Sequence, residues 1–323
     1  MRIEKMTTVI SLGGGLGRII SAIPALLKYS KSHPDEEWYV TIPAWNYVTW
    51  GFSELQKRTF DPDAHGTFEL YWKADKVISP EPYQLPAYYR NEISLREAFD
   101  VCINNSTDHS DLPPMQLVLS MQEKRMAYDI IEIAKGIHNK SKTIVLQPYG
   151  STATPHPSGI FDDSLRSIPK PMLDYFIDNL SKDYNLVYMG AKDFHNVKTY
   201  RPEPDPNMRE WAAIIGAADY FIGCDSCGQH MCKALNKSAS VVIAGTHHIN
   251  VSYGNFHIIQ RDVPFYPDAM RISGFESHMS SRLNEPRINF TQEEIENSYQ
   301  KIIENIGGNE IVKPKKSKGV SYN

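Results

Sequence analysis

The chain has 323 residues, a formal net charge of −4, and a hydrophobic fraction of 41%. This length suits two globular domains of roughly 150 residues each, and the hydrophobic fraction is sufficient for two cores. The slightly acidic balance excludes a generally basic surface, so any nucleic acid would have to bind a local patch.

The first 140 residues alternate between strand and helix patterns. Apolar β-forming runs predict strands at 8–12, 38–42 and 75–78, and helical spacing predicts helices at 19–29 and 116–136. Residues 79–115 are rich in Pro, Tyr and Asn and show little periodicity, which predicts a long functional loop region. We therefore expect a first α/β unit with one long loop.

A glycine-rich segment stands between the first predicted strand and the first predicted helix. It reads Gly13-Gly14-Gly15-Leu16-Gly17-Arg18. It is not the dinucleotide fingerprint, because Arg18 stands three residues after Gly15 and no clear acidic residue ends the second strand. A nicotinamide-dependent dehydrogenase is therefore the weaker alternative. The glycines permit either close approach of the backbone to a ligand or simply a tight turn, and both interpretations stay open.

The second half begins a new α/β unit near residue 141. Strands are predicted at 143–147, 185–189, 221–223 and 240–244, with helices at 171–182 and 208–218. A final helix at 291–306 opens with a capping box formed by Thr291 and Glu294, and we expect it to pack back on the first domain. The basic tail, 307–323, is predicted to be disordered. No run approaches the about 18 apolar residues of a membrane span, so we expect a cytoplasmic protein without stable membrane insertion.

The segment 220–234, YFIGCDSCGQHMCKA, carries the strongest functional signal. A strand ends near Gly223, the polar turn Asp225-Ser226 follows, and His230 lies on the next helix. Polar residues at the carboxyl end of a strand, beside a helix N-terminus, predict a site for a phosphorylated ligand. The alternative is an ordinary capped helix. A zinc site built from Cys224, Cys227, His230 and Cys232 is less favoured, since no second cysteine pair stands at finger or ribbon distance.

The ordered set of motifs resembles the heptosyltransferase-like glycosyltransferases of family nine. Leu16–Leu26 is similar to the opening motif of that family, and Asp225-Ser226 with His230 is similar to its Asp-Ser/Thr-Gly-x-x-His signature. Segments 146–151, 166–169 and 188–191 resemble further elements in the right order. The resemblance implies an α/β protein of GT-B fold, with two Rossmann-like doubly wound domains facing across a cleft. It assigns 1–140 to the acceptor and 141–290 to the nucleotide sugar.

The resemblance also implies the chemistry of the site. It implies metal-independent transfer of a sugar from a nucleotide sugar, the donor substrate, without a further cofactor. Negative charge develops on the leaving diphosphate and needs cations, hydroxyls or helix N-termini nearby. The donor-binding residues expected on this basis are Gly15, Gly17, Ser151, Thr152, Arg166, Gly190, Asp225, Ser226, Gly228 and His230.

Three departures from the family pattern change these expectations. Arg18 stands where the family has an aspartate, the usual candidate base, and an arginine cannot serve as a base near neutral pH. Arg18 is instead expected to hold a phosphate. Cys227 replaces the glycine that follows Asp-Ser, and Ile168 replaces a tryptophan. The candidate bases that remain are in the predicted loop region, at Asp108, His109 and Asp111.

The expected acceptor follows from the predicted loop region. The predicted loop joins aromatics to arginines, and Arg18, Tyr88, Tyr89 and Arg90 are expected on the acceptor side. Such residues stack bases and hold phosphates, and the chain also resembles the DNA-modifying sugar transferases of T-even-like phages. Our first hypothesis is therefore 5-hydroxymethylcytosine in double-stranded phage DNA, in the cytoplasm of the host. The alternatives are a lipopolysaccharide or other glycan acceptor, and a non-catalytic module that binds nucleotide sugars.

Overall fold

Two parallel β-sheets, one in each half of the chain, organise the computed structural model, which describes residues 6–156, 159–162, 164–261 and 288–308. The first sheet contains β1 (Thr7–Ser11), β2 (Glu37–Thr41), β3 (Thr59–Phe60) and β4 (Lys76–Ile78). Its strand order is β3-β2-β1-β4. All of its pairings are parallel, as strand–helix alternation predicts.

The second sheet has five parallel strands. They are β5 (Thr143–Gln147), β8 (Asn185–Tyr188), β9 (Tyr220–Cys224), β10 (Ala239–Val242) and β11 (His257–Ile259), and a short antiparallel pair, β6 (Thr154–His156) and β7 (Gly159–Phe161), follows β5. The order is β11-β10-β9-β5-β8. Four of the five strands are buried throughout their length, as in a sheet covered by helices on both faces.

Helices cover both sheets. They are α1 (Leu16–Ser32), α2 (Ser53–Gln56), α3 (Thr67–Lys73), α4 (Pro86–Tyr89), α5 (Leu95–Asn104), α6 (Met121–His138), α7 (Lys170–Leu180), α8 (Met208–Ala217), α9 (Cys227–Ala234), α10 (His248–Val251) and α11 (Gln292–Gly308). Within the described part of the chain, none of them combines the length and the apolarity that crossing a membrane requires.

The strand orders define where a ligand is expected to bind. In the first sheet, β1 lies between β2 and β4, and in the second, β5 lies between β8 and β9. At such points consecutive connections leave on opposite faces of the sheet and open a crevice at the carboxyl ends of the strands. Helices α1 and α9, which begin near these two crevices, pack against each other. One hydrophobic core therefore runs through both halves and includes Ile10 of β1 and Val241 of β10.

The predicted loop region 79–115 contains a helix that the sequence interpretation missed. Helix α5 begins after Ser94, whose side chain and that of Glu97 form a capping box. It packs against α1, burying Ala98, Phe99 and Ile103. The expectation of a structureless loop was therefore wrong for residues 95–104. The Ser-x-x-Glu pattern at Ser94 and Glu97 is the signal that could have identified this helix.

Two further helices lie on a different sheet from the one expected. Helix α6, assigned to the first domain, packs against α8, β5 and β8 of the second half. Helix α11 begins with the predicted Thr291–Glu294 capping box, but it packs on α7 and β11 rather than on the first domain. Its apolar face, through Ile295 and Ile302, belongs to the second core. The expectation for the tail falls on 309–323, outside the described residues.

Candidate functional site

A pocket of about 420 Å³ lies between the two halves, where the two crevices face each other. The first half contributes Gly15, Gly17, Arg18, Trp45, Tyr83 and Leu95, among others. The second half contributes Gln147, Tyr149, Ser151, Arg166, Gly190, Asp205, Asp225, Ser226 and His230, among others. The pocket thus brings together most of the donor-binding residues that the sequence predicts.

The first turn of α9 is held by Gln147, the last residue of β5. Its Oε1 accepts a hydrogen bond from the Gly228 N–H at 2.9 Å, and the Ser226 N–H donates to the carbonyl of Cys224 at 2.8 Å. The amides of Ser226 and Gly228 are therefore satisfied within the protein, contrary to the expectation that they bind phosphate. Gly228 does not line the pocket, whereas Ser226 does. Gly228 is instead needed because its neighbours leave no space for a Cβ.

Asp225 is fixed through both carboxylate oxygens. Gln229 Nε2 donates to Oδ1 at 2.8 Å, and Thr246 Oγ1 donates to Oδ2 at 2.7 Å. The side chain is buried at the carboxyl end of β9. A carboxylate held through both oxygens in this way has a fixed position in the pocket wall.

His230 connects the two halves at the pocket. Its Nδ1 lies 2.6 Å from the hydroxyl of Tyr253 and 3.3 Å from Ser21 Oγ on α1. The Ser21 hydroxyl donates to the carbonyl of Gly17, so we assign Tyr253 as the donor to Nδ1. Burial lowers the pKa of His230 to about 4, and the ring is neutral at pH 7. This assignment leaves a proton on Nε2, next to Gly17 at the pocket wall.

The neutral burial of His230 predicts a loss of stability in mild acid. An unfolded histidine gains its proton near pH 6.5, whereas folded His230 gains it only near pH 4. The free energy of unfolding is therefore expected to fall by up to about 3 kcal/mol as the pH drops from 6.5 to 4. Urea denaturation across this range measures it. The His230→Asn variant should show a smaller fall, whereas substitution of the exposed His65 should leave it unchanged. An equal fall in all three proteins would contradict the prediction.

The loop after β5 is organised by Asp162. Its carboxylate accepts hydrogen bonds from the hydroxyls of Thr152, Ser164 and Ser167. Burial alone would raise the pKa of Asp162, but these hydrogen bonds outweigh it and leave the pKa below its ordinary value. Thr152 is therefore engaged with the protein and lies away from the pocket, contrary to expectation. Its neighbour Ser151 is exposed and lines the pocket.

Arg166 contributes a cation to the second half of the pocket wall. Its Nε donates to Ser164 Oγ at 2.9 Å, and its Nη2 lies close to Gly150. Among the described residues, no carboxylate lies within ion-pair distance of the guanidinium. Gly190 lies on the same wall, with its carbonyl accepting from Arg201. Arg166 thus places a cation on this wall of the pocket.

Arg18 has a different environment from the one expected. It lines the pocket, but its Nη1 pairs with Glu81 at 3.2 Å, and its Nη2 donates to the carbonyl of Pro80 at 2.6 Å. The guanidinium also lies over the rings of Tyr83 and Phe99. Its charge is therefore balanced inside the first half, contrary to the expectation that it holds a phosphate.

The other residues predicted on the acceptor side do not line the pocket. Tyr88 is only 4% exposed, and its carbonyl accepts a hydrogen bond from Asn250. Arg90 forms an ion pair with Glu92 on the surface, and Tyr89 is likewise outside the pocket wall. The helical turn of α4 directs this segment into the contact between the halves rather than towards a ligand.

The three candidate bases lie at the opposite end of α1. Lys28 Nζ bonds Asp111 at 2.6 Å and the carbonyl of Asp108 at 3.2 Å. His109 bonds the buried Asp100 at 2.8 Å, and Asp100 also pairs with Lys28. Lys28 is eleven residues beyond Gly17 on the helix, which is roughly 16 Å at about 1.5 Å per residue. Asp108, His109 and Asp111 therefore form a loop-anchoring network and are not part of this pocket.

Two pocket residues, Trp45 and Gln147, and two residues that contact the pocket wall, Tyr253 and Glu81, were missed by the sequence interpretation. Trp45 follows β2, Gln147 ends β5, and Tyr253 orients His230. Glu81, which holds Arg18, follows β4. For Trp45, Gln147 and Glu81, position at the carboxyl end of a parallel strand is the signal that could have identified them.

The cysteines do not form a metal site in the described part of the chain. Cys102, Cys224, Cys227 and Cys232 are free thiols, and burial raises the pKa values of Cys224 and Cys227. No group of three or more potential ligands that could hold a metal occurs among the described residues.

Solved structures with the same architecture exist, although no family model and no curated protein matches the sequence. A glycosyl transferase of family 9 from Veillonella parvula superposes with a TM-score of 0.64 at 11% identity, covering 94% of this chain and 99% of that one. The iron-containing dodecameric glycosyltransferase TibC from enterotoxigenic E. coli gives 0.63 at 10% identity, covering 96% and 82%. The E. coli ADP-heptose lipopolysaccharide heptosyltransferase II gives 0.56 at 12% identity, covering 92% and 99%.

These similarities establish the fold. The chain has the GT-B architecture of two parallel α/β units, as the sequence resemblance predicted. At identities of 10–12% they say nothing further about the reaction of this chain, which has to be argued from its own pocket.

Proposed function

We propose that the chain is a glycosyltransferase that transfers a sugar from a nucleoside-diphosphate sugar to an acceptor hydroxyl. The observation that carries the proposal is the pocket between two strand-order reversals, with the cation of Arg166 on its wall. The names of the superposable proteins, a family 9 transferase and a heptosyltransferase, support the same reaction class.

The donor diphosphate binds on the second half in this proposal. As the bond between sugar and phosphate breaks, negative charge grows on the leaving phosphate. Arg166 supplies a planar guanidinium for two charge-assisted hydrogen bonds, and Ser151 supplies a hydroxyl. The Nε2–H of His230 is a neutral donor that would be lost if the ring were turned or if the proton moved to Nδ1. These groups stabilise the leaving diphosphate. Thr152 has no role in this proposal, because its hydroxyl donates to Asp162.

A glycan fits the first half of the pocket better than DNA does. The DNA hypothesis depended on Arg18 and on the segment with Tyr88 and Arg90. Arg18 is paired with Glu81, Arg90 is paired with Glu92, and Tyr88 is buried. A polyanionic backbone needs a track of available cations, whereas a neutral sugar needs hydroxyl partners and an apolar face. We therefore propose the glycan acceptor, the class to which the substrate of the lipopolysaccharide heptosyltransferase belongs.

A turnover assay tests the proposal. The purified chain is incubated with ADP-, UDP- and GDP-sugars, and released nucleoside diphosphate is measured with no acceptor, with lipopolysaccharide core oligosaccharides, and with hydroxymethylated DNA. Release that increases with an oligosaccharide is expected. Release that increases only with DNA would overturn the glycan acceptor. Tight donor binding without any transfer would identify a non-catalytic binding module, and failure to bind any donor would refute the whole proposal.

A further inference from the structure

A strained turn after β2 directs Trp45 to the pocket. The Trp45 N–H donates to the carbonyl of Pro43 at 2.7 Å, and Ala44, the residue between them, has a φ of 62°. A hydrogen bond over two residues around a positive φ is the rare form of the γ-turn, which alanine adopts only at a cost. Such a conformation persists only where the surrounding structure holds it, and it is concentrated at functional sites.

The turn places Trp45 at the pocket wall, where its indole also contacts Tyr47. The side chain is half-buried and forms part of the pocket wall from the first half, together with Tyr83 and Leu95. Its ring meets that of Tyr47 at 66°, with 6.3 Å between centroids. This edge-to-face contact restrains the indole, so that Trp45 can present a fixed apolar surface to the pocket.

We propose that the indole of Trp45 is the stacking platform for a pyranose ring of the acceptor. The inference rests on the proposed function and specifies its acceptor as a saccharide bound through a sugar face. The face of an indole carries negative potential, and the C–H bonds on one face of a pyranose are weakly positive. Among the described residues of this wall, Arg18 is the one cation, and it is paired with Glu81. The wall is therefore suited to a neutral ring rather than to a nucleotide.

Kinetics with the saccharide acceptor test the platform. The KM for the acceptor is expected to rise about tenfold in Trp45→Ala and less in Trp45→Phe, while the Kd for the donor stays unchanged. Trp50→Phe is the matched control, because Trp50 is 54% exposed and lies outside the pocket wall. An unchanged acceptor KM in Trp45→Ala, with donor affinity intact, would overturn the inference while leaving the proposed function in place.

Intrinsic fluorescence gives a second readout that does not require turnover. The chain with bound UDP or ADP is titrated with methyl pyranosides of glucose, galactose and mannose, and separately with hydroxymethylated duplex DNA. A pyranoside-dependent change that is lost in Trp45→Phe and kept in Trp50→Phe is expected. A change produced by DNA and by no pyranoside, or no change with any pyranoside, would contradict a sugar platform. If the wild-type chain bound neither UDP nor ADP, that result would instead refute the proposed function.

The strain at Ala44 predicts that a substitution there can keep the folding stability of the chain and still weaken binding of the acceptor. Glycine adopts the same φ without steric cost, so Ala44→Gly should fold at least as stably as the wild type. Because glycine also frees the backbone, Trp45 should lose its fixed position and the acceptor KM should rise several-fold. An Ala44→Gly protein with unchanged acceptor KM would show that the turn does not position the indole.

Discussion

Replacing Gly228 with alanine is expected to lower the free energy of unfolding by about 1–3 kcal/mol and to abolish donor binding. A Cβ at this position would clash with Gln147 Oε1 and with Phe221 Cζ. Phe221 is fully buried in β9, so it cannot move away without opening the core. Displacing Gln147 would break its hydrogen bond with the start of α9. The substitution therefore disturbs the core and the pocket wall together.

Urea denaturation and donor calorimetry measure the two effects. Gly136→Ala is the matched control, because no atom lies within 4 Å of a Cβ at Gly136 in α6. That substitution is expected to raise the free energy of unfolding by up to about 1 kcal/mol through helix propensity, with donor affinity unchanged. If Gly228→Ala were as stable as Gly136→Ala and still bound the donor, the assigned packing at the start of α9 would be wrong.

The parts of the fold that follow from local sequence were predictable. The strand predicted at 143–147 has the same bounds as β5, and the polar turn with Asp225 lies at the carboxyl end of β9 as expected. Buried parallel strands are read as continuous apolar runs, and the turn after them is marked by glycine and small polar residues. The same regularity accounts for Ser151 and Gly190 on one pocket wall, whereas Arg166 on that wall was expected from the family resemblance.

The failures concern contacts between residues far apart in the chain. Arg18 is paired with Glu81, which is 63 residues away in the sequence. No pattern in the residues near Arg18 predicts this ion pair. The hydroxyl of Thr152 was expected to bind the donor, but in the structure it donates a hydrogen bond to Asp162, ten residues further along the chain. The candidate bases were chosen by residue type, although their distance from the pocket depends on which end of α1 their loop contacts. The sequence therefore shows which side chains could bind a ligand. Whether each of them lies at the pocket without a partner in the protein depends on tertiary contacts.

Helix α11 illustrates the same limit at the level of domains. Its capping box and its spacing of isoleucines predicted a helix, but an apolar face does not specify which sheet it covers. The helix packs on the second core, and its Ile295 and Ile302 belong to the same hydrophobic cluster as Ile144 of β5. The expectation that it returns to the first half rested on the two α/β runs and the late capping box, and neither feature specifies a packing partner.

Arg166→Ala is expected to weaken binding of a nucleoside diphosphate by roughly ten- to a hundredfold, since a hydrogen bond to a charged group contributes about 1.5–3 kcal/mol. The Nε of Arg166 donates to Ser164 Oγ, and the residue lines the pocket where the diphosphate is proposed to bind. Arg166→Lys should give an intermediate affinity, because lysine retains the charge but loses the planar fork. Isothermal calorimetry with ADP and UDP measures the affinities, and thermal unfolding verifies that each variant is folded.

The affinity of the wild-type chain should also fall with added salt, and that dependence should weaken in Arg166→Ala because one charge no longer contributes. Arg90→Ala provides the matched control, since Arg90 is exposed, pairs with Glu92 and lies outside the pocket wall. It should bind the diphosphate as the wild type does. A folded Arg166→Ala protein with wild-type affinity would remove Arg166 from the donor site. The remaining pocket groups proposed to contact the diphosphate would then be Ser151 and the neutral Nε2–H of His230, neither of which supplies a charge.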